Sequence, residues 1–163
     1  MKNIASFMLM AVLFGACCKK SDSQPDPKPD PGEPADTAKN VDVRGTISAD
    51  QHWVKDKTYR LRGYVYVNNG ATITIDAGTK IVSNKDSAGV LVIYRTAKIN
   101  ATGTATDPIV FTSNEATPQP GDLGGVVLVG QASGNGNHAV LEGGVDAAFS
   151  VFGGTNDADN SGV

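Results

Sequence analysis

Arg60, Arg62, Tyr64 and Tyr66 stand at alternate positions of the segment YRLRGYVYV (59–67). Alternation puts side chains on one face of a strand, so with Leu61, Val65 and Val67 turned inward these four project outward. Tyr94 lies close by on the following unit of the chain. Aromatic faces beside guanidinium groups make a platform on which a sugar ring stacks and an anionic group is held. The same tyrosines equally suit covering the sheet, or lying beneath the segment from Val41 to Trp53.

Other residue types offer less. His52 and His138 are the only histidines and have no Cys or Glu at metal-ligand spacing, so they read as surface residues, and no cofactor is expected. Neither Ser150 nor Ser161 lies in a Gly-x-Ser-x-Gly elbow. Asp157, Asp159 and Ser161 alternate before Gly162, resembling the first half of a calcium loop, although alternating carboxylates before a glycine also make an ordinary solvated turn. Lyase chemistry needs carboxylates gathered around a cation and a base beside it. Asp76, Asp107, Asp122, Glu142 and Asp146 instead fall one per turn, as solvated corner residues, and no catalytic residue is assigned.

The elements that must carry these side chains are short. VRGTI (43–47), YRLRGYVYV, ATITI (71–75), GVLVIY (89–94), AKINA (97–101), PIVFTS (108–113) and GVVLVG (125–130) are alternating, β-branched or aromatic, and separated by Gly, Asn, Asp and Pro. From Val41 onward no run of ten residues keeps a helical period, so the body is all-β. Two stretches repeat: Val65–Thr79 lies over Leu91–Thr104, placing Val65 on Leu91, Val67 on Ile93, Ala71 on Ala97 and Ile73 on Ile99, and the Ser-Asn pair at 83–84 recurs at 113–114. Self-similarity at this spacing predicts a right-handed parallel β-helix of about three coils, in which Val65, Leu91 and one residue of Val126 to Val129 form an inward column. The alternative is a β-sandwich, which also spaces strands regularly but gives no reason for a fixed repeat. PQPGDLGG (118–125) then reads as the corner leading from a strand ending near Ser113 to the next coil. Gly124 and Gly125 suit a corner that needs positive φ or close backbone approach.

Composition sets the setting. The chain has 163 residues, enough for one domain, and 14 Lys and Arg against 17 Asp and Glu give no basic block to neutralise phosphates, so nucleic acid is excluded as a partner. Residues 1–16 combine Lys2, an apolar stretch from Ile4 to Phe14, and the small pair Gly15-Ala16, which is an export signal too short to span a membrane. Small residues before Cys17 resemble a bacterial lipobox, with Phe14 where an aliphatic residue is usual; an ordinary signal peptide with incidental cysteines is the alternative. Cys17 and Cys18 are the only cysteines and are adjacent, so neither staples the body. Residues 17–40 read as the acylated cysteine and a disordered tether, in which 21–38 hold five of the eight prolines and extend over roughly 50 Å at polyproline rise. Residues 41–163 are the β-helix domain, expected to be incomplete at its C-terminus.

VDVRGTI (41–47), Trp53, YRLRGYVYVNNGATITIDAGTKI (59–81), INATGTATDPIVFTSN (99–114), GDLGGVVLVGQA (121–132), EGG (142–144) and DNSG (159–162) occur in an order that resembles the N-terminal half of a family of secreted Bacteroidetes-type β-helix lipoproteins. Leu123 departs from the Trp usual in that corner, and similar proteins continue beyond Val163. The resemblance implies a β-helix and an envelope location, at the outer membrane or cell surface, and supplies no catalytic residues.

The reading is a lipoprotein held to the membrane through acylated Cys17, acting as a non-enzymatic binding, adhesion or structural module for a glycan or surface protein. The alternative is a polysaccharide-lyase-like enzyme whose active residues lie on further coils. Val140, Leu141, Val145, Phe149, Val151 and Phe152 are expected to begin an unpartnered coil, with residues 153–163 disordered and the chain self-associating through that open end.

Overall fold

Runs of about four residues rich in β-branched side chains, set between turn residues, are too short for helices but long enough for one side of a solenoid. The computed structural model describes residues 39–134 and 139–161. The leader, Cys17, the proline-rich stretch to residue 38, His138 and residues 162–163 lie outside them. Among the described residues the strands are β1 (Asn40–Ile47), β2 (Gln51–Trp53), β3 (Thr58–Val67), β4 (Thr72–Ile75), β5 (Lys80–Ser83), β6 (Val90–Ile93), β7 (Lys98–Ala101), β8 (Val110–Ser113) and β9 (Gly125–Leu128), followed by a 3-10 turn at Ala147–Phe149. No helix among them is long and apolar enough to cross a membrane.

Every strand pairing is parallel. On the first face Asn40 pairs with Thr58, Thr58 with Lys80 and Lys80 with Val110. A second face stacks Gly45, Val65, Leu91 and Val126, and a third stacks Gln51, Ile73 and Ile99. β1 and β3 run through two faces, bending at Gly45 (φ 70) and Gly63 (φ 72) where only glycine turns without strain. Among the described residues the result is a parallel β-helix with three full coils and two faces of a fourth. The expected column of Val65, Leu91 and Val126 is present, as are the pairs Val67 with Ile93 and Ile73 with Ile99. The segment from Val41 to Trp53 is itself the first coil, with Trp53 buried inside it and stacked on Tyr59 at 4.7 Å.

The core is the sum of these columns. Val65, Val67, Leu91 and Ile93 are fully buried, each contributing on the order of 1.5–3 kcal/mol. On the last coil the same columns end in Val126, 39% exposed, and Leu128, 51% exposed, because no strand among the described residues stacks above them.

The corner between the first and second faces lengthens from coil to coil: Arg44, then Arg62-Gly63, then residues 84–89, then 114–124. PQPGDLGG therefore turns within the fourth coil, from β8 to β9, and does not lead into the next coil as the sequence reading had it. The repeat noticed in the sequence starts on the second face, so it fixes the period and leaves the phase open. A Cβ on Gly124 would lie 2.5 Å from the Ala88 carbonyl oxygen, and Gly125 has φ +131, so the two glycines divide close approach and positive φ between them. Asp122 is a second correction. It is buried, not solvated, and accepts hydrogen bonds from Ser113 Oγ (2.7 Å) and Gln119 N (2.8 Å), which hold its carboxyl below the usual range.

The segment 139–152 does not begin a coil. It returns as a strap across the outside of the second face, closed by an antiparallel bridge between Val140 and Val151. Residues 153–161 are likewise ordered by partners: Gly153 N donates to Gly130 O, Gly154 N to Ala132 O, and Ile99 N to Ser161 O.

Candidate functional site

The outward side chains of β3 separate at Gly63. On its first half Arg60 pairs with Asp42 of the coil below, by register and by a 2.7 Å contact from Nε to Oδ1. Arg62 Nε and Arg44 Nη2 each lie 3.3 Å from Asp42 Oδ2. Three guanidinium groups thus share one carboxylate. Partial burial pushes the Asp42 carboxyl up, but the hydrogen bonds and charges of Arg60 and then Arg62 together outweigh it and hold the group below 3.8. The ladder continues along the corner, since Asn84 Oδ1 accepts from Arg62 Nη1 and Asn114 Nδ2, both at 3.4 Å, and Glu115 Oε1 accepts from Asn84 Nδ2 and Lys85 N. Repetition of Ser-Asn at 83–84 and 113–114 was the sequence signal for it.

On the second half of β3 the tyrosines are covered. Phe149 stacks on Tyr66 at 4.3 Å and meets Tyr94 edge-on at 5.4 Å, and Tyr64 stacks beside Tyr66. Tyr66 Oη accepts from Asp146 N at 2.9 Å, and Tyr64 Oη donates to the Gly143 carbonyl. Beneath the strap lie Val90, Val92 and Val129. The platform pictured with Arg60, Arg62, Tyr64, Tyr66 and Tyr94 on one open surface is therefore divided into an open arginine corner and an aromatic strip occupied by Phe149. The strap performs the covering that the sequence reading had given to Val41–Trp53.

A cleft of about 380 Å³ opens where the second face turns toward the third, lined among others by Asn68, Tyr94, Arg95, Thr96, Gln131 and Phe149. Its floor is two stacked turns, with Ala71 N donating to Asn68 O and Ala97 N to Tyr94 O. Thr96 has φ 73, a conformation that disfavours β-branched residues, and is held there by the hydrogen bond from Gly70 N to its Oγ1. Asn68 Oδ1 and Arg95 Nε are buried and have no hydrogen-bond partner.

Against known sequences, residues 45–163 match the family described as the pectate-lyase like beta helix domain. The chain belongs to that family. No curated protein and no solved structure matches it. The match begins at Gly45, the first corner glycine, and runs through the strap and the return segment, so this family's domain takes in the cleft and most of the arginine corner.

Elsewhere in this β-helix the candidate groups have partners. Asp157 accepts from Ser133 Oγ and N, and Asp159 accepts from Ser161 Oγ and Gln131 N; these bonds hold both carboxyls below the usual range. The trio proposed for calcium thus ties the return segment to residues 131–133. Among the described residues no three His, Cys, Asp or Glu side chains gather as a metal site. His52 is exposed, its Nε2 2.6 Å from Asp76 Oδ1. Sequence reasoning missed Asn68, Arg95, Gln131 and Phe149, which come from four separate segments. Only Asn-Asn-Gly at 68–70, a turn signal, marked the place.

Proposed function

We propose that this chain is a non-enzymatic glycan-binding module, carried at the bacterial envelope on acylated Cys17 and a proline-rich tether, and that its arginine corner holds acidic groups of the glycan. The supporting observation is the convergence of Arg44, Arg60 and Arg62 on the single carboxylate of Asp42. Three positive charges against one negative leave a local excess on a chain whose net charge is −3. Guanidinium forks match carboxylate and sulfate geometry, and the side chains of Arg60 and Arg62 keep 28% and 32% of their surface open. Membership of a family described as pectate-lyase like makes a carbohydrate the natural carrier of those groups.

Incubation of the purified protein with acidic and neutral polysaccharides tests this. Retention of acidic polymers, weakened at least about tenfold in Arg60→Ala/Arg62→Ala, supports it; tenfold corresponds to about 1.4 kcal/mol. Release of unsaturated or reducing ends would favour the glycan-degrading alternative, and equal retention by the double variant would remove the arginine corner. Labelling with a radioactive fatty acid, lost in Cys17→Ala, tests the anchor. Self-association through Val126 and Leu128 on the last coil belongs to the same proposal, and sedimentation of Leu128→Lys against the parent checks it.

A further inference from the structure

We propose that Asn69 is a modification site, an asparagine set to lose its side-chain amide to the backbone nitrogen of Gly70, and that the Thr96 hydroxyl on the next coil guards it. Residues 68–71 form a turn closed by Ala71 N donating to Asn68 O, with φ 56 at Asn69 and φ 74 at Gly70. Two positive φ values make a type I′ turn, which Asn-Gly fills because both residues reach the left-handed region at little cost. The same pair is chemically exposed, since glycine carries no side chain to keep its nitrogen from the preceding Asn69 Cγ. Both residues are open to water.

In the reaction the Gly70 N–H gives its proton to base from solvent, the nitrogen bonds to Asn69 Cγ, and the Cγ–Nδ2 bond breaks, Nδ2 taking up a proton and leaving as ammonia. Water then opens the resulting cyclic imide. Breaking the new Cγ–N bond leaves aspartate, and breaking the original peptide bond leaves isoaspartate. Thr96 stands over the nitrogen that must react: the next coil repeats the turn at residues 94–97, closed by Ala97 N donating to Tyr94 O, and Thr96 takes the place of Gly70 in it. Its φ of 73 is one that a β-branched residue keeps only where contacts hold it, and one that glycine would adopt freely. The contact is the 3.1 Å hydrogen bond from Gly70 N to Thr96 Oγ1. It occupies the N–H that the attack has to release. A strained threonine where the turn itself asks for glycine is thereby accounted for, and one such exposed bond slows the reaction by roughly threefold to tenfold. Conversion would set a carboxylate beside Arg95, the counterpart of Asn69 on the next coil, in the cleft that both line. The site stands apart from the arginine corner and does not depend on glycan binding.

The test is incubation of the full chain at mildly alkaline pH, with Asn69 followed by peptide mapping and mass spectrometry and the same chain in urea as the unguarded reference. Conversion should be slower in the folded chain than in urea. Thr96→Ala and Thr96→Gly should speed it in the folded chain roughly threefold to tenfold, while Thr96→Ser, which keeps the hydroxyl, should stay within about twofold of the parent. Thr96→Gly separates guarding from stability. Glycine relieves the strained φ, so thermal unfolding should come at an unchanged or higher temperature even as conversion quickens. A merely structural role would slow conversion in a turn made more stable. A folded parent that converts as fast as the chain in urea, Thr96→Gly converting no faster than the parent, or Thr96→Ser converting as fast as Thr96→Gly would each overturn the guard. Absence of conversion at Asn69 in urea would overturn the site itself.

Discussion

Arg60 and Arg62 on the first half of β3 and Tyr64 and Tyr66 on its second half are presented outward by one and the same alternation. Yet the arginine side chains stay about a third open, whereas Tyr66 is buried at 8% exposure under Phe149. Parity along a strand decides which way a side chain points; a later segment of chain decides whether water reaches it. The strap settles on the half where covering is favourable. Burying aromatic and valine surface yields roughly 25 cal/mol per Å², while covering guanidinium groups would require new partners for each N–H removed from water.

The largest expected effect comes from making the covered half resemble the open one. Val92 points outward under the strap and is fully buried. Val92→Asp places an unpaired carboxylate there and should cost on the order of 4 kcal/mol in chemical denaturation. Arg62→Ala on the open half should cost less than about 1 kcal/mol, as exposed ion pairs do. Similar losses in the two variants would mean that the strap does not cover the second face.

The contrast also explains what the sequence could disclose. The column of Val65, Leu91 and Val126 and the Ser83–Asn84 and Ser113–Asn114 pairs were legible because each coil repeats the demands of the one below. Gly124 and Gly125 were legible because glycine marks backbone that other residues cannot follow. The strap belongs to no repeat, so Leu141, Val145 and Phe149 looked like the start of another coil when they are a cover for an existing one. The cleft was hidden for the same reason, since Phe149 and Gln131 reach it from segments with no counterpart on earlier coils. Arg60 and Arg62 could be placed outward from alternation alone, but their shared partner Asp42 depends on the register between β1 and β3.

A smaller effect is expected from Phe149→Ala, which removes two aromatic contacts, with Tyr66 and Tyr94, and should cost about 1–3 kcal/mol. Hydrogen exchange should quicken across residues 139–152 and at Tyr66, and chemical nitration of Tyr66 should rise, while amides near Arg60 keep their protection. Uniform quickening along the whole of β3 would show that its two halves do not respond separately.

Smaller again is Gly63→Ala, at the bend that divides them. No atom lies within 4 Å of the added Cβ, so the cost is that of holding φ near 72 with a side chain, about 1 kcal/mol. Denaturant titration measures it. A loss of several kcal/mol would indicate that the corner is packed more tightly than its open surroundings allow.

The smallest effect distinguishes the halves by what holds them: charge on one, ring stacking on the other. Arg60 and Arg62 keep the Asp42 carboxyl below 3.8 in the folded chain, against the opposing push of burial. A carboxyl whose folded pKa lies below its unfolded value stabilises the fold above the unfolded value, and that contribution disappears as pH falls through the folded one. Acidification should therefore leave the arginine corner intact above the ordinary carboxylate range and loosen it only below, while the Tyr66–Phe149 stack, held by ring contact, changes less over the same interval. The Arg60 Nε–H resonance followed by NMR from pH 6 to pH 2 should move with a midpoint below 3.8, and 0.5 M salt should shift that midpoint upward by screening the pair. A midpoint at or above 3.8 would mean that Asp42 does not hold the three arginines together in solution, and the open half of β3 would then present free guanidinium groups in place of an ordered cluster.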